Sequence, residues 1–363
     1  MSATRPGARG RGASFNTPNR FESLHREIFP PDLAEDPAPE DPGEPRRTIP
    51  TRYFQDSSRS ILVRNDSPDI PFTFSLNPYR GCEHGCIYCY ARPSHEYLGF
   101  SAGIDFETTI MVKEDAPGLL EAALASKGWV PQTVTLSGNT DPYQPVERKL
   151  AITRRCLEVF LRAGNPVSII TKNALVLRDI DILSAMGRLG IVHVMLSITS
   201  LKGDLIRIME PRTSAPARRL EAIGALAAHG IPVGVNIAPV IPGLTDEEIP
   251  RILAEAAARG AQTASYILMR LPGAVKNLFL EWLERELPEK RSRVLGRIRD
   301  TRAGNLSDPR FHTRGKGEGE FAESIGSLFT LAATRAGIRG SWPELTTAHF
   351  RRVTPGQQDL FDR

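Results

Sequence analysis

Three of the four cysteines in this 363-residue chain fall within one short stretch, "GCEHGCIYCYA", as Cys82, Cys86 and Cys89. The spacing is C-x3-C-x2-C. Thiolates are soft ligands that suit zinc or iron–sulfur clusters. A structural zinc needs a fourth ligand to close its tetrahedron, and His84 inside the stretch or His95 just after it would supply one. A [4Fe–4S] cluster normally takes four cysteines, so three leave one iron without a protein ligand. An open coordination position is what a catalytic metal requires. The fourth thiol, Cys156 in "RRCLEVFL", sits among apolar residues at helical spacing and reads as a core residue. Clustered cysteines of this kind are no disulfide framework; in a reducing compartment they point to metal or redox chemistry.

Such ligands must be held by a scaffold, and the sequence outlines one. Short runs rich in Val, Ile and Leu recur at 72–76, 133–137, 166–172, 192–199, 233–240 and 265–269, the pattern of strands buried on both faces. Amphipathic stretches separate them at 115–126, 148–164, 179–190, 215–230 and 245–260. The second stops at Gly164, Asp179 is an N-cap candidate, and Thr245 with Glu248 has the spacing of a capping box. Alternation of this kind predicts an α/β fold with parallel topology. The segment 61–272 is too short for a closed eight-fold barrel of about 250 residues. It predicts a partial (β/α)6 TIM-type barrel, with a flat doubly wound sheet as the alternative. Residues 273–340, interrupted at Pro288, predict a helical C-terminal extension. The Pro- and Arg-rich residues 1–60 predict a disordered N-terminal arm, and 341–363 a loose tail.

C-x3-C-x-aromatic-C directly after the first strand of a β/α chain, with Tyr88 as the aromatic residue, resembles the cluster loop of radical S-adenosylmethionine (SAM) enzymes. The resemblance implies that Cys82, Cys86 and Cys89 hold a [4Fe–4S] cluster. It implies that SAM chelates the unique iron and is cleaved by one electron to a 5′-deoxyadenosyl radical. It places Ser137, Gly138 and Asn139 where such enzymes meet the methionine amino group. Lys172 and Ser197, at the ends of the third and fourth strands, fall where the SAM carboxylate and ribose are met, and Arg212 of "MEPRTS" is within sequence reach of the same carboxylate. Asn236 and Val240 fall in the fifth-strand region that faces the adenine. Asp141 and Tyr143 lie just past the second strand, on the side where active sites of such folds gather, with Tyr143 as a hydrogen-atom relay.

Residues 70–270, through "SGNTDPYQPVE", "TKN", "LSITS" and "PVIPGLTDEE", resemble more narrowly the branch related to spore photoproduct lyase, often labelled DNA repair photolyase-like. That branch implies chemistry on a nucleic-acid lesion or modified base. Its lyases use a cysteine near the end of strand two as hydrogen donor; here Ser137 and Gly138 occupy that region. A peptide or metabolite substrate, or a zinc-stabilised nucleic-acid-binding module without catalysis, are the alternative readings.

Charge and tail add to the DNA-linked reading. The formal net charge is +4, and residues 290–363 hold fourteen Lys and Arg against eight Asp and Glu, a bias that suits a polyanion. Arg314 and Lys316, among glycines, could meet a phosphate. Gln357, Leu360 and Phe361 in "GQQDLFDR" fit the Q-x-x-L-F pattern of peptides that dock on the bacterial sliding clamp. The chemistry calls for an electron donor such as flavodoxin or ferredoxin. No run approaches the length of a membrane span and no secretory h-region is present, so the expected compartment is the cytoplasm.

Overall fold

The computed structural model describes residues 10–21, 49–338, 342 and 344–352. Its main sheet has seven strands: β2 (Leu62–Arg64), β3 (Phe74–Leu76), β6 (Val134–Leu136), β7 (Val167–Thr171), β8 (Val192–Ser197), β9 (Val233–Val240) and β10 (Thr263–Leu268). Their order is β10-β9-β8-β7-β6-β3-β2. The six strands from β3 onward are parallel neighbours in chain order, and β2 closes the edge antiparallel to β3. A doubly wound sheet would reverse its order at a switch point. This one does not, and β10 does not pair with β2, so the barrel is open and six-fold.

The strand interiors explain themselves. Val134, Leu136, Val167, Ile169, Val192, Val194, Leu196, Val233, Val235 and Ile237 are sealed from solvent and form one core with the helices outside. A fully buried Val, Leu or Ile adds about 1.5–3 kcal/mol, so this row sets the register. The helix Ile152–Ala163 turns Cys156, Leu157 and Phe160 inward and ends in left-handed Gly164, as expected. At Gly164 a Cβ would lie 2.0 Å from the His349 carbonyl oxygen, so the close approach of the C-terminal segment also needs glycine.

Several expectations are corrected. The arm expected to lack structure over 1–60 is part of the fold at residues 10–20 and 49–60. There β1 (Arg52–Gln55) joins β5 (Thr109–Val112) and β4 (Tyr79–Arg80) in a second, three-stranded sheet. The tail expected to be loose over 341–363 packs where it is described. Trp342 stacks on His193 with centroids 4.2 Å apart, and the Arg351 amide donates to the Ala163 carbonyl at 2.8 Å. Thr245 and Glu248 form no capping box: Thr245 Oγ1 accepts from the Ile241 amide, and Glu248 accepts from Ser200 and from the Leu201 amide. Asp179 caps nothing with its side chain; it takes bonds from Tyr143, Arg154 and Arg178 instead. After the barrel come the helices Val275–Glu286 and Arg291–Asp300, broken at Pro288, then Glu320–Arg335. Gln357, Leu360 and Phe361 lie outside the described residues, and no described helix is long and apolar enough to cross a membrane.

Candidate active site around the cysteine loop

Every parallel strand delivers its carboxyl end to one edge of the sheet. The cysteine loop follows β3 there, and the ends of β6 to β10 bring Ser137, Lys172, Thr199, Val240 and Arg270 to the same edge. The three thiols are uncrosslinked; Cys82 and Cys86 are buried and Cys89 is half-buried.

A buried ion pair fastens the loop from below. Arg92 and Glu107, both fully enclosed, meet at 2.5 Å. Arg92 also donates to the carbonyls of Cys86, Gly85, Ala102 and Gly103 at 2.9–3.3 Å, and so fixes the loop backbone. Glu107 in turn accepts from the amides of Gly12 and Ala13 at 3.0 and 2.9 Å. The N-terminal segment therefore crosses the loop as a strap. Its closeness dictates glycine: a Cβ on Gly12 would lie 1.9 Å from the Gly85 carbonyl oxygen. Gly85 itself has φ +66°, in the left-handed region.

A second network backs the loop on its inner side. The Tyr88 hydroxyl donates to Glu210 and lies 3.2 Å from Thr199 Oγ1. Lys172 Nζ reaches Thr199 Oγ1 at 3.1 Å, the Ala238 carbonyl at 2.8 Å and Glu210 at 3.4 Å. Arg219, fully enclosed, pairs with Glu210 and donates to the Ser197 carbonyl at 2.9 Å. Burial alone would raise the Glu210 carboxyl; Arg219 and Lys172 outweigh it and hold that carboxyl well below its ordinary range. The Met209 carbonyl accepts from the Ile87 amide and the His84 carbonyl from the Arg212 amide, so the segment 209–212 cradles the loop. Sequence reasoning took Arg212 from "MEPRTS" and passed over Glu210, although an acid beside a proline in a buried run was the available signal.

The remaining predicted residues divide. Gly138, at φ +101°, and Asn139 flank the loop on its other side. The Tyr90 hydroxyl donates to the Gly138 carbonyl, and Asn139 bonds Asn77 and Ser94. Ser137 adopts φ +127°, a backbone state costing of order 1–3 kcal/mol, and donates to the Thr140 carbonyl. Asp141 is a junction: it accepts from Thr171, from the amides of Tyr143 and Lys172, and faces His84 Nδ1 at 3.4 Å. Burial opposes a charged His84, but Asp141 and Cys82 raise it to about 10. Two predicted groups, Tyr143 and Arg212, lie elsewhere. The Tyr143 phenol is enclosed and donates to Asp179 at 3.1 Å, out of reach as a relay. Arg212 turns to Glu83 and Thr51, each 3.2 Å away, instead of toward the Lys172 side. Asn236 accepts from Ser265, and the fully buried Val240 gives its carbonyl to the Met269 amide.

Three thiols stand on the loop while the fourth cysteine, Cys156, is enclosed in the core, and a tetrahedral zinc needs a fourth ligand. Of the two alternative zinc ligands, His95 is packed against Phe100 and Phe106 and His84 faces Asp141. A [4Fe–4S] cube held by three thiolates keeps one iron open, and the loop's three free cysteines suit that group. Burial pushes the Cys86 thiol up, with Glu210 adding to it, and the Cys89 thiol up to about 11, so it is metal charge that must strip their protons.

Comparison with known proteins agrees. The family described as "Radical SAM superfamily" matches residues 76–256. An uncharacterized protein of Mycobacterium tuberculosis (strain ATCC 25618 / H37Rv) is 38% identical over 226 residues, 62% of this chain and 66% of the relative. One from Methanocaldococcus jannaschii is 30% identical over 175 residues, 48% of this chain and 63% of the relative. The matched stretch thus spans just under two thirds of these relatives. Spore photoproduct lyase superposes with a TM-score of 0.56 at 17% identity, covering 79% of this chain and 80% of the lyase, a likeness of fold. With its cysteine loop on an open six-fold barrel, the chain belongs to the radical SAM superfamily.

Proposed function

We propose that this chain cleaves SAM reductively and acts on a nucleic-acid lesion or modified base. One arrangement supports the reading above all: three uncrosslinked thiols on a loop at the carboxyl edge of a parallel sheet, pinned by Arg92 and backed by Glu210. When bound, a [4Fe–4S] cluster on Cys82, Cys86 and Cys89 supplies the electron that breaks the sulfonium to a 5′-deoxyadenosyl radical. The chain's own residues bind and orient. Gly138 and Asn139 face the methionine amino group, Lys172 and Ser197 the carboxylate and ribose, and Asn236 with Val240 the adenine. Glu210 keeps Tyr88 and Lys172 in place, and Asp141 holds His84 and the start of the loop after β7.

The nucleic-acid substrate is supported by the basic residues after 290, and by the fold shared with spore photoproduct lyase, which has been seen complexed with dinucleoside spore photoproduct. The hydrogen donor differs from that lyase: Ser137 stands at the end of β6, and Cys156 is enclosed in the core. Gln357, Leu360 and Phe361 would bring the enzyme to DNA through a sliding clamp, and flavodoxin or ferredoxin would supply electrons. Anaerobic reconstitution tests the first half. About four irons per chain and 5′-deoxyadenosine on reduction with SAM are expected; a colourless protein with one zinc per chain overturns it. Incubation with damaged oligonucleotides tests the second: 5′-deoxyadenosine formation unaffected by every oligonucleotide rejects the nucleic-acid substrate.

Lys172→Met tests the SAM assignment. A charge-assisted bond is worth about 1.5–3 kcal/mol, so SAM affinity should fall about 10- to 100-fold. Thermal stability should fall little, because Arg219 still neutralises Glu210. Equilibrium dialysis against the reconstituted protein measures it. Unchanged affinity with a lowered Tm would make Lys172 a structural counter-ion.

A further inference from the structure

Beside the cysteine loop lies a pair of arginines whose charge the fold does not fully use. Arg270 follows β10 by two residues and is half-buried, with its guanidinium over the Tyr90 ring, 5.8 Å from the centroid. Among the described residues it makes no hydrogen bond and no ion pair. Burial and the nearby Arg314 both lower its pKa. Asp69, the acid that acts on it, is already claimed by Arg314 through Nε, while Arg314 Nη2 donates to Ser67 at 2.5 Å. Among the described residues no partner meets Arg314 Nη1. Both arginines line a cleft of about 270 Å³. Asp308, which also lines the cleft, is occupied by Arg310 at 2.9 Å and Thr313 at 2.7 Å.

Two guanidiniums side by side repel each other until an anion bridges them, and the planar fork of arginine matches phosphate. The flanking groups say which phosphate. Tyr90 is 50% exposed, and Phe311, which carries Arg314 over its face at 4.5 Å, is 51% exposed. Two open rings beside two cations are the parts of a single-strand binding site, in which bases stack and the backbone is neutralised. An acidic peptide would use the cations and leave both rings idle. Resting on the nucleic-acid reading above, we infer that Arg270 and Arg314 bind one backbone phosphate of a single-stranded or extruded segment, with Tyr90 and Phe311 as stacking faces for its neighbouring bases. Because Tyr90 adjoins Cys89, a strand held there lies against the cysteine loop.

The test is fluorescence anisotropy of a labelled eight-nucleotide DNA on the full reconstituted chain, across a salt series. For single strands the slope of log K against log salt is about −0.7 per phosphate neutralised. Arg270→Gln should make the slope shallower by about 0.7 and weaken binding about 10-fold at low salt. Arg270→Lys should keep the slope and lose about 3-fold, as the forked contact becomes a point charge. Phe311→Ala should cost about 10-fold with the slope unchanged. Arg218→Gln, exposed and paired with Glu221 on the helix Pro216–Ala228, should change neither. Wild-type slope and affinity in Arg270→Gln overturn the inference, as does displacement of the DNA by pyrophosphate or a Glu-rich peptide at equal concentration. A chain that cleaves SAM but passes Arg270→Gln unaltered loses this inference alone. A chain that binds no iron or leaves SAM intact loses the proposed function itself.

Discussion

Cys86→Ala is expected to give a folded, colourless protein, with iron falling from about four per chain to below one and 5′-deoxyadenosine to background. On the proposed ligand set two thiols are left for a cube that needs three, and no other described cysteine stands ready to replace the third. Cys156 is the contrast. It is sealed inside the helix Ile152–Ala163, in the core with Leu157 and Phe160. Cys156→Ala should keep full iron and absorbance and lose about 1–2 kcal/mol of stability, the cost of a small core cavity. Iron analysis and visible absorbance after anaerobic reconstitution decide both. Full iron in Cys86→Ala would refute the ligand set; lost iron in Cys156→Ala would make that thiol a ligand or its indirect support.

Glu107→Ala should be the most damaging change away from the thiols. It leaves the Arg92 guanidinium fully buried without its carboxylate, a loss of about 3–5 kcal/mol when one partner of a buried pair is removed. That is a large part of the 5–15 kcal/mol that holds a domain together. It also removes the acceptor for Gly12 and Ala13, so the strap should come away before the barrel melts. Denaturant titration reads the first effect. Trypsin cleavage after Arg11, 8% exposed in the intact fold, reads the second. An unchanged midpoint with Arg11 still protected would show that the strap and the loop are held by other contacts.

The barrel was legible because its strands are buried on both faces and so read as unbroken apolar runs. The expected 166–172, 192–199 and 233–240 became Val167–Thr171, Val192–Ser197 and Val233–Val240. The small sheet was not. Arg52–Gln55 is exposed along its whole length, so no periodicity marks it; it is held by backbone pairing with Thr109–Val112 across more than fifty residues. The strap was hidden for a related reason. "RGRGASFN" looks like a basic, flexible tail, and its order comes from Glu107, which no local pattern connects to it. The cysteines could be read from spacing alone, but their surroundings could not. Polar side chains near a strand end look alike in sequence, and only the fold shows that Lys172 meets Glu210 while Tyr143 meets Asp179.

The helix Val275–Glu286 buries Val275, Phe279 and Trp282 in one apolar cluster with Cys86, Ile87 and Tyr88. In a growing chain that helix is made about 180 residues after the loop. At roughly 5–20 residues per second, the nascent thiols stay open at the ribosome for roughly 10–40 s, an interval in which an iron–sulfur donor can reach them before the helix is even translated.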